Sequence, residues 1–152
     1  MTYEISEKEL APQLALIHRM RVTMPTIGER IGAGFGVLME HAAKTGAQWA
    51  GPPFILYPEA CEDEYDIVIC MPVVPGAVAG GAVALEEVPG GHVATTMHVG
   101  PYPGVGQAYT ALQQWMTDNG RHPAGAPREV YLNEPGAVPD DELLTEVDWP
   151  IA

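Results

Sequence analysis

Hydrophobic and polar positions along this chain follow two periods, and the same order of periods occurs twice. Apolar and polar residues alternate loosely over residues 13–21 and again over 92–99, which predicts two strands. After each strand, apolar residues recur every three or four positions, which predicts a helix with one buried face. These positions are Ile27, Ile31, Phe35, Leu38 and Ala42 in the first helix, and Val105, Tyr109, Leu112 and Met116 in the second.

Each predicted helix is followed by a glycine and then by short apolar segments. Gly46 and Gly120 are predicted to end the helices, because glycine most readily adopts the left-handed conformation of a helix end. A loop rich in Gly and Pro then leads to two further strands in each half. The predicted strands cover residues 54–57, 65–71, 129–132 and 143–149.

The turn signal Pro89-Gly90-Gly91 lies at the start of the second half. It predicts a hairpin between a strand over residues 81–88 and the strand over 92–99. In each half, a turn that contains a proline and an acidic cluster is predicted after the first of the two strands that follow the helix, with Pro58 in the first half and Pro135 in the second.

The two halves also correspond at individual landmarks. Gly46 corresponds to Gly120, Tyr57 to Tyr131, Pro72 to Pro150, and Glu62-Asp63-Glu64 to Asp140-Asp141-Glu142. An internal repeat takes precedence over other fold signals. We therefore predict a tandem duplication of a strand-helix-strand-strand unit, approximately residues 1–76 and 77–152. We expect one α+β domain over residues 1–152, with a mostly antiparallel sheet, two main helices and a ligand cleft between the copies.

Composition narrows the classes of partner. The chain has 152 residues, 47% of them hydrophobic, which is enough for one core. Seven basic and twenty acidic residues give a net charge of −13, which disfavours direct nucleic-acid binding and weakly favours cationic small molecules. No apolar run approaches the roughly 20 residues of a membrane span, and no signal peptide is evident. We expect a cytoplasmic protein with no membrane partner.

The two copies differ at one position that is a candidate for a functional site. Glu129 corresponds to Ile55 of the first copy, so it either faces water at an edge or is a buried acid. Strand alternation places Tyr131 on the same face as Glu129. Tyr131 then either serves the same site or packs as an ordinary strand residue, as its counterpart Tyr57 suggests.

Two other polar positions leave alternatives open. Glu146, which corresponds to Val68, either joins the site or points to solvent. His98 corresponds to Arg21, and for it we expect a hydrogen bond near the helix start rather than catalysis.

Several enzyme classes are disfavoured. The one serine, Ser6, lies outside any Gly-x-Ser-x-Gly turn, and the histidines form no His-Glu-x-x-His motif. The acidic clusters at residues 59–66 and 140–142 lack calcium-loop spacing. The glycines from Gly32 to Gly36 follow a helical pattern rather than a strand, so they predict no dinucleotide site. They serve either close packing or marginal helicity. We expect no cofactor and no metal.

Four segments carry a family resemblance: residues 98–102 (HVGPY), 109–115 (YTALQQW), 127–132 (PREVYL) and 142–151 (ELLTEVDWPI). Together they resemble the GyrI-like small-molecule-binding family, which includes the effector-binding domains of AraC-type and BmrR-type multidrug-sensing regulators. The resemblance covers essentially the whole chain. It implies a pocket between the copies for flat, lipophilic, often cationic molecules, with Glu129 as the buried carboxylate. No helix-turn-helix segment precedes the first repeat, so a stand-alone family member is expected.

Two functions follow as expectations, and whether the protein is an enzyme stays open. The first is a binding module, monomeric or weakly dimeric, that senses or sequesters lipophilic cationic aromatic compounds. The second is a hydrolase that opens cyclopropanoid DNA-alkylating toxins, with Glu129 as general base and Tyr131 polarising the substrate. A role toward gyrase ranks last. Aromatic residues at helical spacing serve the core as well as a ligand wall. The predicted ligand-binding residues are Glu129, Tyr131, Tyr102, Tyr109, Trp115, Phe35, Phe54, Tyr57, Trp149 and Glu146.

Overall fold

The computed structural model describes residues 3–61, 64–133 and 136–152, and these residues form eight strands and two α-helices. Glu62 and Asp63, two landmarks of the predicted repeat, lie outside the described residues. The strands are β1 (Ser6–Leu10), β2 (Gln13–Thr23), β3 (Phe54–Cys61), β4 (Glu64–Pro72), β5 (Ala84–Val88), β6 (Gly91–Val99), β7 (Arg128–Tyr131) and β8 (Leu144–Pro150), and the helices are α1 (Ile27–Thr45) and α2 (Gly106–Asp118).

The chain divides into two compact units. The central unit is Pro12–Pro89, and the terminal unit combines Met1–Ala11 with Gly90–Ala152. The strands of the central unit are ordered β3-β4-β2-β5, and those of the terminal unit β7-β8-β6-β1. All strand pairs within each unit are antiparallel.

The predicted fold class is confirmed in its coarse form. The chain is α+β, with antiparallel strands and a helix in each unit. The border of the units lies between Pro89 and Gly90, whereas the predicted repeat border lies near residue 76. The tandem duplication, the single domain over residues 1–152 and the ligand cleft stay predictions.

The hairpin predicted between residues 81–88 and 92–99 is wrong. The structure pairs β5 with β2, inside the central unit. Gly90 permits a close approach of two backbones within the terminal unit, because a Cβ at this position would collide with the backbone carbonyl oxygen of Leu10. Gly91 has open space around it and a φ of 141°, a conformation that glycine adopts readily.

The prediction that Pro58 lies in a turn is also wrong, and Pro135, its counterpart, lies outside the described residues. Strand β3 continues through this position to Cys61, with a register shift between Leu56 and Glu59. A β-bulge tolerates proline, because the residues at a bulge do not need every ladder hydrogen bond. The strand is therefore longer than its apolar segment.

The helix ends and the helix glycines have separate explanations. Gly46 ends α1 with φ of 74°, and Gly120 follows α2 with φ of 66°, which confirms both predicted ends. Inside α1, a Cβ on Gly34 would collide with the side chains of Ile69 and Met20, whereas open space surrounds Gly36. Gly34 therefore serves close packing of α1 on the sheet.

The terminal unit has a core between α2 and one face of its sheet, which we call the helix face. Ala94 of β6 and Val147 of β8 lie on this face. From α2, buried Ala108, Leu112 and Met116 pack against them. Neither described helix combines the length and the apolar character needed to cross a membrane.

Candidate functional site

Glu129 lies on the helix face of the terminal unit. It pairs in register with Val147 of β8, so its side chain is on the side that α2 covers. The residue is 8% exposed. The Tyr109 hydroxyl donates to Oε2 at 2.8 Å, and the Tyr131 hydroxyl donates to Oε1 at 3.0 Å. Each carboxylate oxygen of Glu129 thus accepts a phenol hydrogen bond, and Tyr131 lies on the same face as Glu129, as strand alternation predicted.

Two more aromatic rings extend this arrangement. The ring of Tyr102, in a short 3-10 turn before α2, packs edge-on against Tyr131 with centroids 5.6 Å apart. Trp149 of β8 packs edge-on against Tyr109, also at 5.6 Å. We call these five residues the tyrosine–carboxylate cluster.

Two of the hydrogen bonds of Glu129 come from hydroxyl groups. A buried carboxylate has lost much of its hydration, and hydrogen bonds from hydroxyls replace part of it. The aromatic rings present negative faces, which attract cations. The cluster therefore combines an acidic side chain with aromatic surface, and Glu129 has two neighbouring hydroxyls that can take part in proton transfer.

Four other predicted site residues are described within their own units. Trp115 of α2 packs against the core of the terminal unit. Phe54, which is 1% exposed, belongs to the core of the central unit. Phe35 of α1 and Tyr57 of β3 are partly buried in that same unit. Ligand contact by any of these four residues stays a prediction.

Glu146 lies on the opposite face of the terminal-unit sheet, which we call the far face. It neighbours Val147 along β8, so its side chain alternates to the other side, and it is opposite Met97. The Lys8 ammonium donates to its Oε2 at 2.9 Å. A groove of about 740 Å3 adjoins it, lined also by Ser6 and Thr95. The structure thus does not bring Glu146 together with Glu129.

Asp148, two residues further on, is a buried acid that the sequence did not single out. It is 1% exposed, and the Thr95 hydroxyl donates to its Oδ1 at 2.5 Å. Desolvation, and next a hydrogen bond with Glu146, raise the pKa of Asp148 to about 7, although Thr95 and Lys8 act the other way. Burial raises the pKa of Glu146, but hydrogen bonds with Asp148 and Lys8 outweigh it and leave that pKa lowered.

This pair predicts a pH dependence of stability. Because the folded state raises the Asp148 pKa from 3.8 to about 7, the free energy of unfolding should fall as pH rises through this range. The slope is at most about 1.4 kcal/mol per pH unit. Asp148→Asn mimics the protonated acid, so urea denaturation between about pH 5 and about pH 8 should give a flatter profile for the variant.

The wild type is the reference for that comparison, because His92 also has a raised pKa, caused first by its hydrogen bond with Glu7 and then by that with Glu9. Titration of His92 changes the free energy of unfolding in the same way in both proteins. Its contribution therefore cancels when the Asp148→Asn profile is subtracted from the wild-type profile. Parallel wild-type and Asp148→Asn profiles would show that folding does not raise the pKa of Asp148.

His98 has the structural role expected of it. It is buried on the helix face, and the Tyr3 hydroxyl donates to Nδ1 at 3.0 Å. Its Nε2–H donates to the Pro101 carbonyl oxygen at 3.0 Å, which fixes this tautomer because a carbonyl only accepts. His98 therefore holds the turn that carries Tyr102, and the predicted hydrogen bond near the helix start is confirmed.

Among the residues that the structure describes, no group of three or more His, Cys, Asp or Glu side chains is placed to hold a metal ion.

Comparison with known proteins gives a family match over nearly the whole chain. The sequence model of the GyrI-like small molecule binding domain matches residues 3–152. The crystal structure of the EcmrR C-terminal domain is 26% identical, with coverage of 100% of this chain and 99% of that one and a TM-score of 0.85. In the cryo-EM structure of an EcmrR–DNA complex, the match covers 98% of this chain but 57% of EcmrR, at 25% identity and a TM-score of 0.87.

Two more distant structures share the fold. A hydrolase from Listeria innocua is 14% identical, with coverage of 98% of this chain and 92% of that one and a TM-score of 0.69. SAV2435 bound to tetraphenylphosphonium is 13% identical, with coverage of 100% of this chain and 94% of that one and a TM-score of 0.64. A sequence search of curated proteins finds no match.

Proposed function

Since the chain belongs to the GyrI-like small molecule binding domain family, we propose that it binds lipophilic, cationic aromatic molecules with Glu129 as the charge partner. The observation that carries this proposal is the pair of phenol hydrogen bonds to one buried carboxylate. A docked cation would offset the desolvation cost of the ionised carboxylate. Sensing or sequestration of such compounds is the corresponding role.

A structural neighbour supports the class of ligand. SAV2435 has been determined with tetraphenylphosphonium, a lipophilic aromatic monocation, although at 13% identity this likeness establishes the fold alone. The net charge of −13 would also attract cations and repel nucleic acid, and we retain the prediction of no direct nucleic-acid contact. We keep a monomer or weak dimer and a cytoplasmic location as parts of the proposal.

We infer that the chain is a tandem duplication in which one copy kept an apolar residue at the charged position. In the central unit, Ile55 of β3 pairs with Ile69 of β4, and in the terminal unit Glu129 of β7 pairs with Val147 of β8. Ile55 is 0% exposed. The equivalent strand positions thus hold a core residue in one unit and a buried acid in the other, which supports one charged site per chain.

Titration calorimetry with tetraphenylphosphonium tests the binding proposal directly. We expect saturable binding to one site per chain, with a negative heat-capacity change because apolar surface is buried. The isosteric anion tetraphenylborate should bind more weakly, since the same apolar surface would approach a negative charge. Equal affinity for both ions would rule out charge recognition, and no saturable binding of the cation would rule out the proposal.

A hydrolase that opens cyclopropanoid toxins is the second candidate, favoured by the contact between Glu129 and the Tyr131 hydroxyl. Glu129 would take a proton from water as the water oxygen bonds to a cyclopropane carbon. The ring C–C bond would break, its electron pair would move into a conjugated carbonyl, and Tyr131 would protonate that oxygen. The Listeria innocua neighbour is a hydrolase, but at 14% identity it shows the fold alone.

Mass spectrometry separates the two candidates. The protein is incubated with an excess of a cyclopropane-bearing electrophile, and the product carrying one added water is counted per chain. Several turnovers that disappear in Glu129→Gln would establish the enzyme, whereas binding without turnover favours the binding module.

A further inference from the structure

Thr145 of β8 lies beside the tyrosine–carboxylate cluster, on the same face of the sheet. It is directly opposite Tyr131 of β7 on one side and His98 of β6 on the other. Side chains that are directly opposite share a face, with Cβ atoms about 5 Å apart, and diagonal neighbours are roughly 7–8 Å apart. Thr145 is therefore an immediate neighbour of Tyr131 and a diagonal neighbour of Glu129.

The hydroxyl of Thr145 is buried without a partner. The residue is 0% exposed, and its Oγ1 has no hydrogen-bond partner in the part of the chain that the structure describes. Its polar neighbours are already engaged: His98 with Tyr3 and Pro101, and Tyr131 with Glu129. A buried hydroxyl of this kind is unusual and favours any state that supplies a partner.

We propose that Thr145 is a specificity-determining residue of the Glu129 site, whose hydroxyl binds a hydrogen-bonding group of the cationic ligand. This inference rests on the proposed function. Thr145 has both a donor and an acceptor to offer, so it favours ligands that carry an amino or hydroxyl group beside their aromatic cation. A cation without such groups makes only the charge interaction with Glu129 and the apolar contacts.

Access to Thr145 is linked to access to Glu129. Glu129 is buried and bonded to Tyr131, so a ligand that replaces this hydrogen bond has to move the Tyr131 side chain. That side chain is the cross-strand neighbour of Thr145, so its movement opens space beside the unpaired hydroxyl. A ligand at Glu129 thus comes within reach of Thr145.

Two probes test the role of Thr145. Ethidium is a planar aromatic cation with amino groups, and tetraphenylphosphonium is an aromatic cation with no hydrogen-bonding atom. Thr145→Val should weaken ethidium binding about three- to tenfold, the usual range for one neutral hydrogen bond. The dissociation constant of tetraphenylphosphonium should change by less than about twofold. Thr145→Ser, which keeps the hydroxyl, should restore ethidium binding. Fluorescence titration and calorimetry give both dissociation constants.

Thr96→Val is the matched control. Thr96 is a buried threonine on the same face, but its hydroxyl already donates to the Glu4 carbonyl oxygen at 2.8 Å. Its substitution should leave the ratio of the two affinities unchanged. If wild type binds both probes and Thr145→Val keeps that ratio, the role of Thr145 is disproved while the proposed function stands. If wild type binds neither probe, the proposed function fails and the Thr145 inference fails with it.

Discussion

Glu129→Gln should weaken the binding of tetraphenylphosphonium by about 2 kcal/mol or more, which is roughly 30-fold or more in the dissociation constant. Gln has nearly the shape of Glu and still accepts one phenol hydrogen bond through its carbonyl oxygen, so the main change is the loss of a buried negative charge. A buried charge interacts strongly with a cation, because little water remains to screen it. Calorimetry of both proteins at one salt concentration measures the difference.

The anion tetraphenylborate makes the Glu129→Gln experiment specific for charge. It has the shape of the cation and the opposite charge. Removing the carboxylate should therefore weaken the binding of the cation and strengthen the binding of the anion. Glu87→Gln is the matched control, because Glu87 is an exposed carboxylate and its substitution changes the net charge by the same amount. If Glu129→Gln and Glu87→Gln shift the two affinities alike, the general field of the protein accounts for cation binding and Glu129 does not.

The tyrosine–carboxylate cluster shows how far local sequence reasoning reaches. Strand alternation placed Tyr131 beside Glu129, because that relation spans two residues of one strand. Tyr109 was expected only as an aromatic wall, yet it donates the shorter of the two hydrogen bonds. Its role depends on how α2 lies on the sheet, which periodicity in the helix does not specify.

The acidic residues on the far face show which contacts the sequence does not predict. Period-two spacing places Glu146 and Asp148 on one side of β8, so their proximity was readable from the sequence. Their partner Lys8 was not, because it lies 138 residues from Glu146 and in a strand, β1, that the polar sequence SEKEL did not predict. Pairing between distant strands is decided by the whole sheet, and β propensity is too dependent on context to reveal it.

The wrong prediction of a hairpin at β5 has the same explanation. A Pro-Gly-Gly turn between two extended segments usually indicates a hairpin, and local signals gave no reason to reject one. The segment over β5 instead completes the central unit beside β2, while β1 takes the corresponding edge of the terminal unit. Turn residues report where a chain changes direction, whereas the partner strand depends on contacts that lie far apart in sequence.

Gly34→Val should lower the free energy of unfolding by about 1 to 3 kcal/mol, the usual cost of overpacking a core. Even a single Cβ at Gly34 would collide with Ile69 and Met20, and valine adds two further carbons. Ile69 is fully buried, so it has little room to move aside. Urea denaturation and thermal unfolding both measure the loss, which corresponds to a midpoint about 2 to 12 °C lower.

Gly36→Val separates this packing effect from helix propensity. Both glycines lie inside α1, so the same substitution changes the intrinsic helix preference equally, and it slightly favours the helix because valine is a better helix former than glycine. No atom lies near a Cβ on Gly36, so its variant should match or exceed the wild type in stability. Equal midpoints for Gly34→Val and Gly36→Val would mean that α1 moves away from the sheet at little cost. In that case the glycines reflect marginal helicity, the alternative that the sequence left open.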